Sequence, residues 1–277
     1  MTDDLITGYA FPPGGLPPLT DDPAANRAIF TTAYAFIPAG TMRDITASLL
    51  PGWQATRAWI IARPLSGFAG TFAQYAVEIS PGGGSDMPEP DAQAEAGLFL
   101  ASGALDLVLD GKLHRLSTGS YAFIPPGARW TLRNGGVVPA RLHWIRKRHQ
   151  RAPGLELPGA VLTADRVTPI SWMPASRSWG TSRFVDPADL RHDMHVNIVT
   201  FRPGGRIPFA ETHVMEHGLY VLQGTARYLL NTDWVDVGPG DFMWLRAFCP
   251  QACIATGDTA FRYLLYKDVN RHPALTL

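Results

Sequence analysis

The 277-residue chain balances 24 Lys and Arg against 24 Asp and Glu, and a net charge of zero removes the basic face that a nucleic-acid or anionic-membrane partner requires. Hydrophobic residues at 46% and charged residues at 17% exclude a disordered chain and leave apolar material for two modest domains or one large β domain. No run approaches the ~18 uninterrupted apolar residues of a membrane span. Met1-Thr2-Asp3-Asp4-Leu5 puts acids where a signal peptide carries bases, so a cytoplasmic protein is expected. Cys249 and Cys253 stand four apart in one strand-like stretch, too close along a strand for an unstrained disulfide, and are expected to be free thiols of a reducing compartment.

Gly and Pro, 27 and 24 residues, are spread throughout and favour short strands joined by turns. Residues 1–56 are turn-rich (Pro12-Pro13-Gly14-Gly15, Pro17-Pro18), with a strand-like piece at Ala33–Pro38, and read as an arm that packs on a barrel. From Arg57 the alternation of half-buried strands takes over, as in Ala73-Gln74-Tyr75-Ala76-Val77-Glu78-Ile79, and a first β unit is expected over 57–152. Asp110-Gly111-Lys112 marks a hairpin turn within it. Its last residues, Arg146-Lys147-Arg148-His149-Gln150-Arg151, are expected to form a solvated edge. Pro153–Pro158 opens a linker assigned to 153–176, and a second unit follows over 177–277. Asp186–Arg191 carries the one short helix signal, with Asp186 as N-cap and Pro187 in the first turn, before strand patterning resumes at His195–Phe201.

The two units are related by an internal repeat. Glu216-His217-Gly218-Leu219-Tyr220-Val221-Leu222-Gln223-Gly224 lies on Glu95-Ala96-Gly97-Leu98-Phe99-Leu100-Ala101-Ser102-Gly103 at an offset of 216 − 95 = 121. The same offset lays Gly240–Leu245 on Gly119–Ile124, Arg262 on Arg141 and Lys267 on Arg146. Pro203-Gly204-Gly205 lies on Pro81-Gly82-Gly83 at 122, one insertion away. Two tandem all-β units are therefore expected. The polar residues do not repeat: His217 falls on Ala96, His213 on Ala92 and Gln251 on Trp130. The N-terminal copy is thus expected to be a structural half, filled by side chains such as Trp130. Glu216 falls on Glu95, which survives in that copy, so both are assigned structural places.

Glu211-Thr212-His213-Val214-Met215-Glu216-His217 packs two histidines and two carboxylates into seven residues. Alternation along a strand turns Glu211 and His213 the same way, and a bend into the next strand returns His217 to the same pocket. One carboxylate and two imidazoles suit manganese, iron or zinc. Lysine is rare in this chain, and Lys267 closes the apolar strand Phe261-Arg262-Tyr263-Leu264-Leu265-Tyr266, where alternation puts Tyr263, Leu265 and Lys267 on one face.

Each unit resembles a cupin, a small β barrel with one metal inside. Gly205, Glu211, His213, His217 and Gly224 keep the spacing of the first cupin motif, with glutamate in the first ligand slot and histidine in the third. Gly240-x5-Arg246…Gln251 stands for the second motif, and Gly119-x5-Pro125-x-Gly127-x2-Trp130 keeps its turn without a ligand. The permuted Glu-x-His-x3-His…Gln set in the second half resembles the (S)-ureidoglycine aminohydrolase family of bicupins, which acts in purine (allantoin) degradation. The similarity runs from Thr7-Gly8-Tyr9 and Ala25-Asn26-Arg27-Ala28-Ile29 to Tyr266-Lys267-Asp268-Val269-Asn270-Arg271.

The resemblance implies one manganese ion on Glu211, His213, His217 and Gln251, with Tyr228, Tyr263 and Lys267 lining the pocket against a small ureido substrate. It implies hydrolysis of (S)-ureidoglycine to (S)-ureidoglycolate and ammonia, for which Lys267 is the expected catalytic proton carrier. The chain departs from the family pattern at Asp193-Met194-His195-Val196-Asn197, where His and Asn are exchanged, and in the loop Gly180–Asp193. A cupin-type metal-dependent dioxygenase or isomerase and a non-catalytic small-molecule-binding bicupin are the rival expectations. The arm and exposed barrel edges predict a homo-oligomer.

Overall fold

The computed structural model describes residues 3–22, 27–174 and 176–271; Met1 and Thr2 of the amino-terminal reading, and Ala25 and Asn26 of the family match, lie outside them. The chain is almost wholly β. One curled sheet runs in the order Val161–Ala164, Ser120–Ile124, Ala94–Ser102, Ala140–Arg148, Ala73–Ser85, Trp130–Arg133, Ala104–Leu109 and Lys112–Ser117, with Gln54–Ala62 also paired to Ala73–Ser85. A second runs Ile29–Phe30, Tyr34–Ile37, Phe242–Leu245, His217–Gln223, Phe261–Asp268, Met194–Phe201, Trp179–Arg183 and Ile170–Trp172. A three-stranded sheet of Asp233–Val237, Ala226–Leu230 and Gln251–Ala255 closes the C-terminal barrel over a shared core. No described helix is long and apolar enough to cross a membrane.

The repeat holds residue by residue. His217 pairs with Lys267 and Leu245, as Ala96 pairs with Arg146 and Ile124, all at 121. Even the irregularity recurs: register slips between Val221 and Gln223 against the last strand, and between Leu100 and Ser102 in the first copy. On the preceding strand the offset is 122, because His195 faces Lys267 where Ala73 faces Arg146. The Asp110-Gly111 hairpin is as the sequence predicts, with both residues at positive φ (47° and 81°), as a two-residue primed turn demands.

Strands expected to be half-buried are buried on both faces. Met194–Phe201 and His217–Gln223 are covered along their whole length. Odd-numbered residues such as Val199, Leu219 and Tyr263 fill the C-terminal barrel. Even-numbered ones such as Val196, Ile198, Tyr220 and Tyr266 join Trp59, Phe72, Phe99 and Tyr121 in a third core between the units. That contact explains the repeated glycine: a Cβ on Gly218 would stand 2.6 Å from Phe72, and one on Gly97 3.1 Å from Val196. The N-terminal barrel interior is filled by Trp130, Trp144, Leu107 and their neighbours, with Trp130 and Trp144 rings 6.1 Å apart.

Both units borrow a strand. The arm strand Tyr34–Ile37 pairs with Phe242–Leu245 of the C-terminal barrel, whereas Val161–Ala164, from the segment read as a linker, pairs with Ser120–Ile124 of the N-terminal barrel. A fully buried ion pair pins these crossings. Arg262 donates to both oxygens of Asp165 (2.7 and 2.8 Å) and to Thr200 Oγ1, and Tyr9 of the arm donates to Asp165 Oδ2 at 2.9 Å.

Three local expectations are corrected. Asp186–Arg191 is a pair of turns and not a helix: Asp186 and Asp189 side chains accept from Ala188 and Arg191 N–H groups two residues on, which competes with helical bonding. Lys147 is buried on Asp193 and is no part of a solvated edge. Cys249 precedes the strand that holds Cys253; both thiols are free and buried.

Removing one partner of a fully buried pair strands the other charge, so Arg262→Ala should lose about 3–5 kcal/mol in denaturant unfolding. Burial holds His143 neutral down to about pH 4, against 6.5 when exposed. The unfolded chain therefore binds more protons between pH 6.5 and 4, and stability is lost as the pH drops through that window. Thermal melts of His143→Phe should show a smaller acid loss than the parent.

Candidate metal centre and its cavity

The segment after Gly205 places Glu211 beside Gln251 as an isolated antiparallel bridge, each N–H donating 2.9 Å to the other's carbonyl. Residues forty apart in sequence thus become neighbours, and Gln251 Nε2 donates to Glu211 Oε1 at 3.3 Å. His213 is anchored through its carbonyl, which accepts from Phe248 N–H at 2.7 Å, and its Nε2 lies 3.4 Å from Glu211 Oε1. His217 opens the next strand with its ring centroid 4.9 Å from that of His213. All four expected ligands line one cavity of about 170 Å³, together with Tyr263 and Lys267.

Tyr228 is placed differently. It is fully buried behind the wall, and its hydroxyl donates to Gln251 Oε1 at 3.0 Å and lies 3.5 Å from the Tyr263 hydroxyl. Burial raises both phenols well above their ordinary range, so both stay protonated donors. Lys267 projects between two histidines of neighbouring strands, His217 and His195. Burial, and next the charge of Arg183, pull its ammonium below the usual lysine range.

Sequence reasoning assigned no role to Asn197 or Arg183, which stand in the two segments that depart from the family pattern; they are cross-strand partners that both face the cavity. The signal was present in the alternation. The cavity-facing residues of these strands are all odd-numbered, so Lys267 and Leu265 lead across the sheet to His195 and Asn197.

The chain matches the cupin domain model twice, over residues 75–146 and 197–266. It is 30% identical to the (S)-ureidoglycine aminohydrolase of Escherichia coli (strain K12), with 96% of each chain covered. The chain belongs to the (S)-ureidoglycine aminohydrolase family of bicupins. The family's Arabidopsis thaliana enzyme is 29% identical over 92% of this chain and 82% of its own. A crystal structure from Pseudomonas aeruginosa, described as a candidate glyoxylate-induced protein, superposes at a TM-score of 0.91 with 59% identity, covering 98% of this chain and all of that one.

The residues of this bicupin fit a divalent ion. One carboxylate, two imidazoles and an amide give a set of net charge −1. Burial, then the neighbouring His213 and Lys267, hold His217 neutral to about pH 3. Its Nε2 is buried without a hydrogen-bond partner, as a ligand nitrogen would be; Gln251 nears the ring without closing a bond. Gln251 turns its nitrogen to Glu211, and offering an oxygen requires the amide to turn over. The Tyr228 hydroxyl serves either orientation, since it both donates and accepts.

Among the described residues, one group of three His, Cys, Asp or Glu has ligand atoms all within 4.8 Å of one another: Glu95, His149 and Asp193. Its Asp193 carboxylate already meets two cations, Lys147 and Arg271. Asp193 accepts from Lys147, from Gln150 N–H at 2.8 Å and from Arg271 at 2.9 Å, while Glu95 meets His149 at 2.7 Å. A metal there would face an ammonium and a guanidinium, so the group acts as a clamp between the units. Glu216 has the corresponding role, accepting from Thr71 and Gly70 of the N-terminal unit and from Trp244 Nε1.

Elemental analysis after manganese loading should therefore find one ion per chain, lost in His217→Ala and retained in Glu95→Gln.

Proposed function

We propose that this chain hydrolyses (S)-ureidoglycine to (S)-ureidoglycolate and ammonia in the cavity of its C-terminal barrel, with manganese as the metal. The observation that carries the reading is the convergence of Glu211, His213, His217 and Gln251 with Lys267 around one cavity, in a chain that matches aminohydrolases along nearly its whole length. The four side chains would hold the ion, which would supply positive charge for the substrate carboxylate and lower the pKa of water.

Ureidoglycine carries an amine, a ureido nitrogen and a carboxylate on one carbon. Hydrolysis forms a carbon–oxygen bond from water, breaks the bond to the amine, and involves no redox change. The water gives up one proton, and the departing amine needs one to leave as ammonia. Lys267 Nζ, with no hydrogen bond or ion pair among the described residues, faces the cavity and is held toward its neutral form by burial. It accepts the proton from water and returns it to the leaving nitrogen. Tyr263, kept protonated, offers a hydroxyl donor from the same strand face. The apolar side chains Leu219, Val199 and Leu265 limit water around the reacting carbon.

The test is ammonia release from freshly generated ureidoglycine by protein stripped of metal and reloaded with manganese, iron or zinc. Manganese-dependent release without oxygen uptake is expected. Lys267→Met should lose about 10²–10⁴ in kcat while keeping its metal; unchanged turnover sinks the lysine's role, and oxygen consumption sinks the hydrolytic reading.

A further inference from the structure

We infer that Asn197 is the specificity residue of this cavity, reading the ureido group of the substrate through a paired donor–acceptor contact; the inference rests on the hydrolytic reading above. Asn197 is 2% exposed and sits on the cavity face, with Val199 beyond it on its own strand and Leu265 and Arg183 as its cross-strand partners. Its amide oxygen is buried with no donor, and the amide makes no hydrogen bond among the described residues. A buried amide is ordinarily bonded within the protein, because leaving it bare is destabilising. An uncommitted one on a cavity wall is completed by whatever fills the cavity.

Position and chemistry narrow what that is. Asn197 lies one pleat along the sheet from the row His195, Lys267 and His217, two residues or about 7 Å away. A substrate whose reacting carbon lies by Lys267 reaches that far with a ureido group and one hydrogen bond. A terminal ureido end presents a carbonyl acceptor beside N–H donors, complementary to the N–H and C=O of a primary amide. At this level its neighbours across the sheet are Leu265 and, beyond it, Leu219, so no other buried side chain of that row makes the same distinction. A keto acid or an aromatic acid brings no N–H and leaves Asn197 bare. Arg183, opposite Asn197 and exposed, supplies a positive charge that does not discriminate between anions of these kinds.

The decisive comparison uses the manganese-loaded protein and two competitors of ammonia release. One is ureidoglycolate; the other is its analogue with an acetamido group, in which a methyl replaces the terminal NH2. The parent should bind the ureido compound about 10- to 100-fold more tightly. Asn197→Leu should bind both alike, with KM for ureidoglycine raised more than kcat is lowered. Asn197→Asp, which keeps only acceptors, should retain part of the preference. Melting of Asn197→Leu without ligand separates this role from a structural one, because removing an unbonded buried amide should leave Tm unchanged or higher. A preference that survives in Asn197→Leu, or a large drop in its Tm, overturns the assignment while turnover in the parent stands. Failure of the parent to bind either compound or to release ammonia overturns the hydrolytic reading, and this inference with it.

Discussion

A guanidinium shut away from water organises this molecule. Arg262 stands at the slip in register of the last strand, where its charge has one carboxylate, Asp165, to meet. A charge in such surroundings is tolerable only with its partner in place. Satisfying it draws in the segment after the first barrel through Asp165, the arm through Tyr9 and the neighbouring strand through Thr200. The same residue sets the phase of its strand. With Arg262 turned outward, Tyr263, Leu265 and Lys267 point into the barrel.

The two barrels are copies that have specialised. In the N-terminal one, Ala96, Trp130 and Arg146 stand where the other has His217, Gln251 and Lys267. Its interior is packed with indole, and its outward side chains support the other unit. Phe72, Phe99 and Tyr121 cover the outer face of the sheet that carries the candidate centre. Strands covered on both faces cannot shift register without exposing one apolar set, so the row His195, Lys267, His217 is held by packing on each side. Rigidity behind a site is what holds a few side chains at working distance of one another.

Much of this was legible in the sequence because duplication doubles every local signal. One offset predicted registers, hairpins and the copy that lacks the polar set. What the sequence concealed were pairings with no local signature. Glu211 against Gln251 is an isolated bridge from an irregular segment to the start of a strand, and Asn197 owes its place to alternation carried across three strands. The half-buried patterning misled, because contact between units erases the polar face that it assumes. Lys147 misled in another way: a run of bases reads as solvated, whereas an aspartate from the other unit waited for one of them. Arg271, at the end of the carboxy-terminal motif, holds that aspartate from the other side.

The borrowed strands bear on how the molecule is made. Tyr34–Ile37 has its pairing partner in Phe242–Leu245, with Ile37 against Phe242, 242 − 37 = 205 residues further on. At a synthesis rate of about 5–20 residues per second, roughly 10–40 s separate the two as the chain leaves the ribosome. The first barrel has nearly all of its strands well before then, and Val161–Ala164 completes its edge. The arm, first to emerge, is therefore last to settle. Until it does, the Phe242–Leu245 edge and the apolar face of the first barrel stay open to other chains, which makes the closing of the arm the step where a nascent copy is most exposed to misassembly.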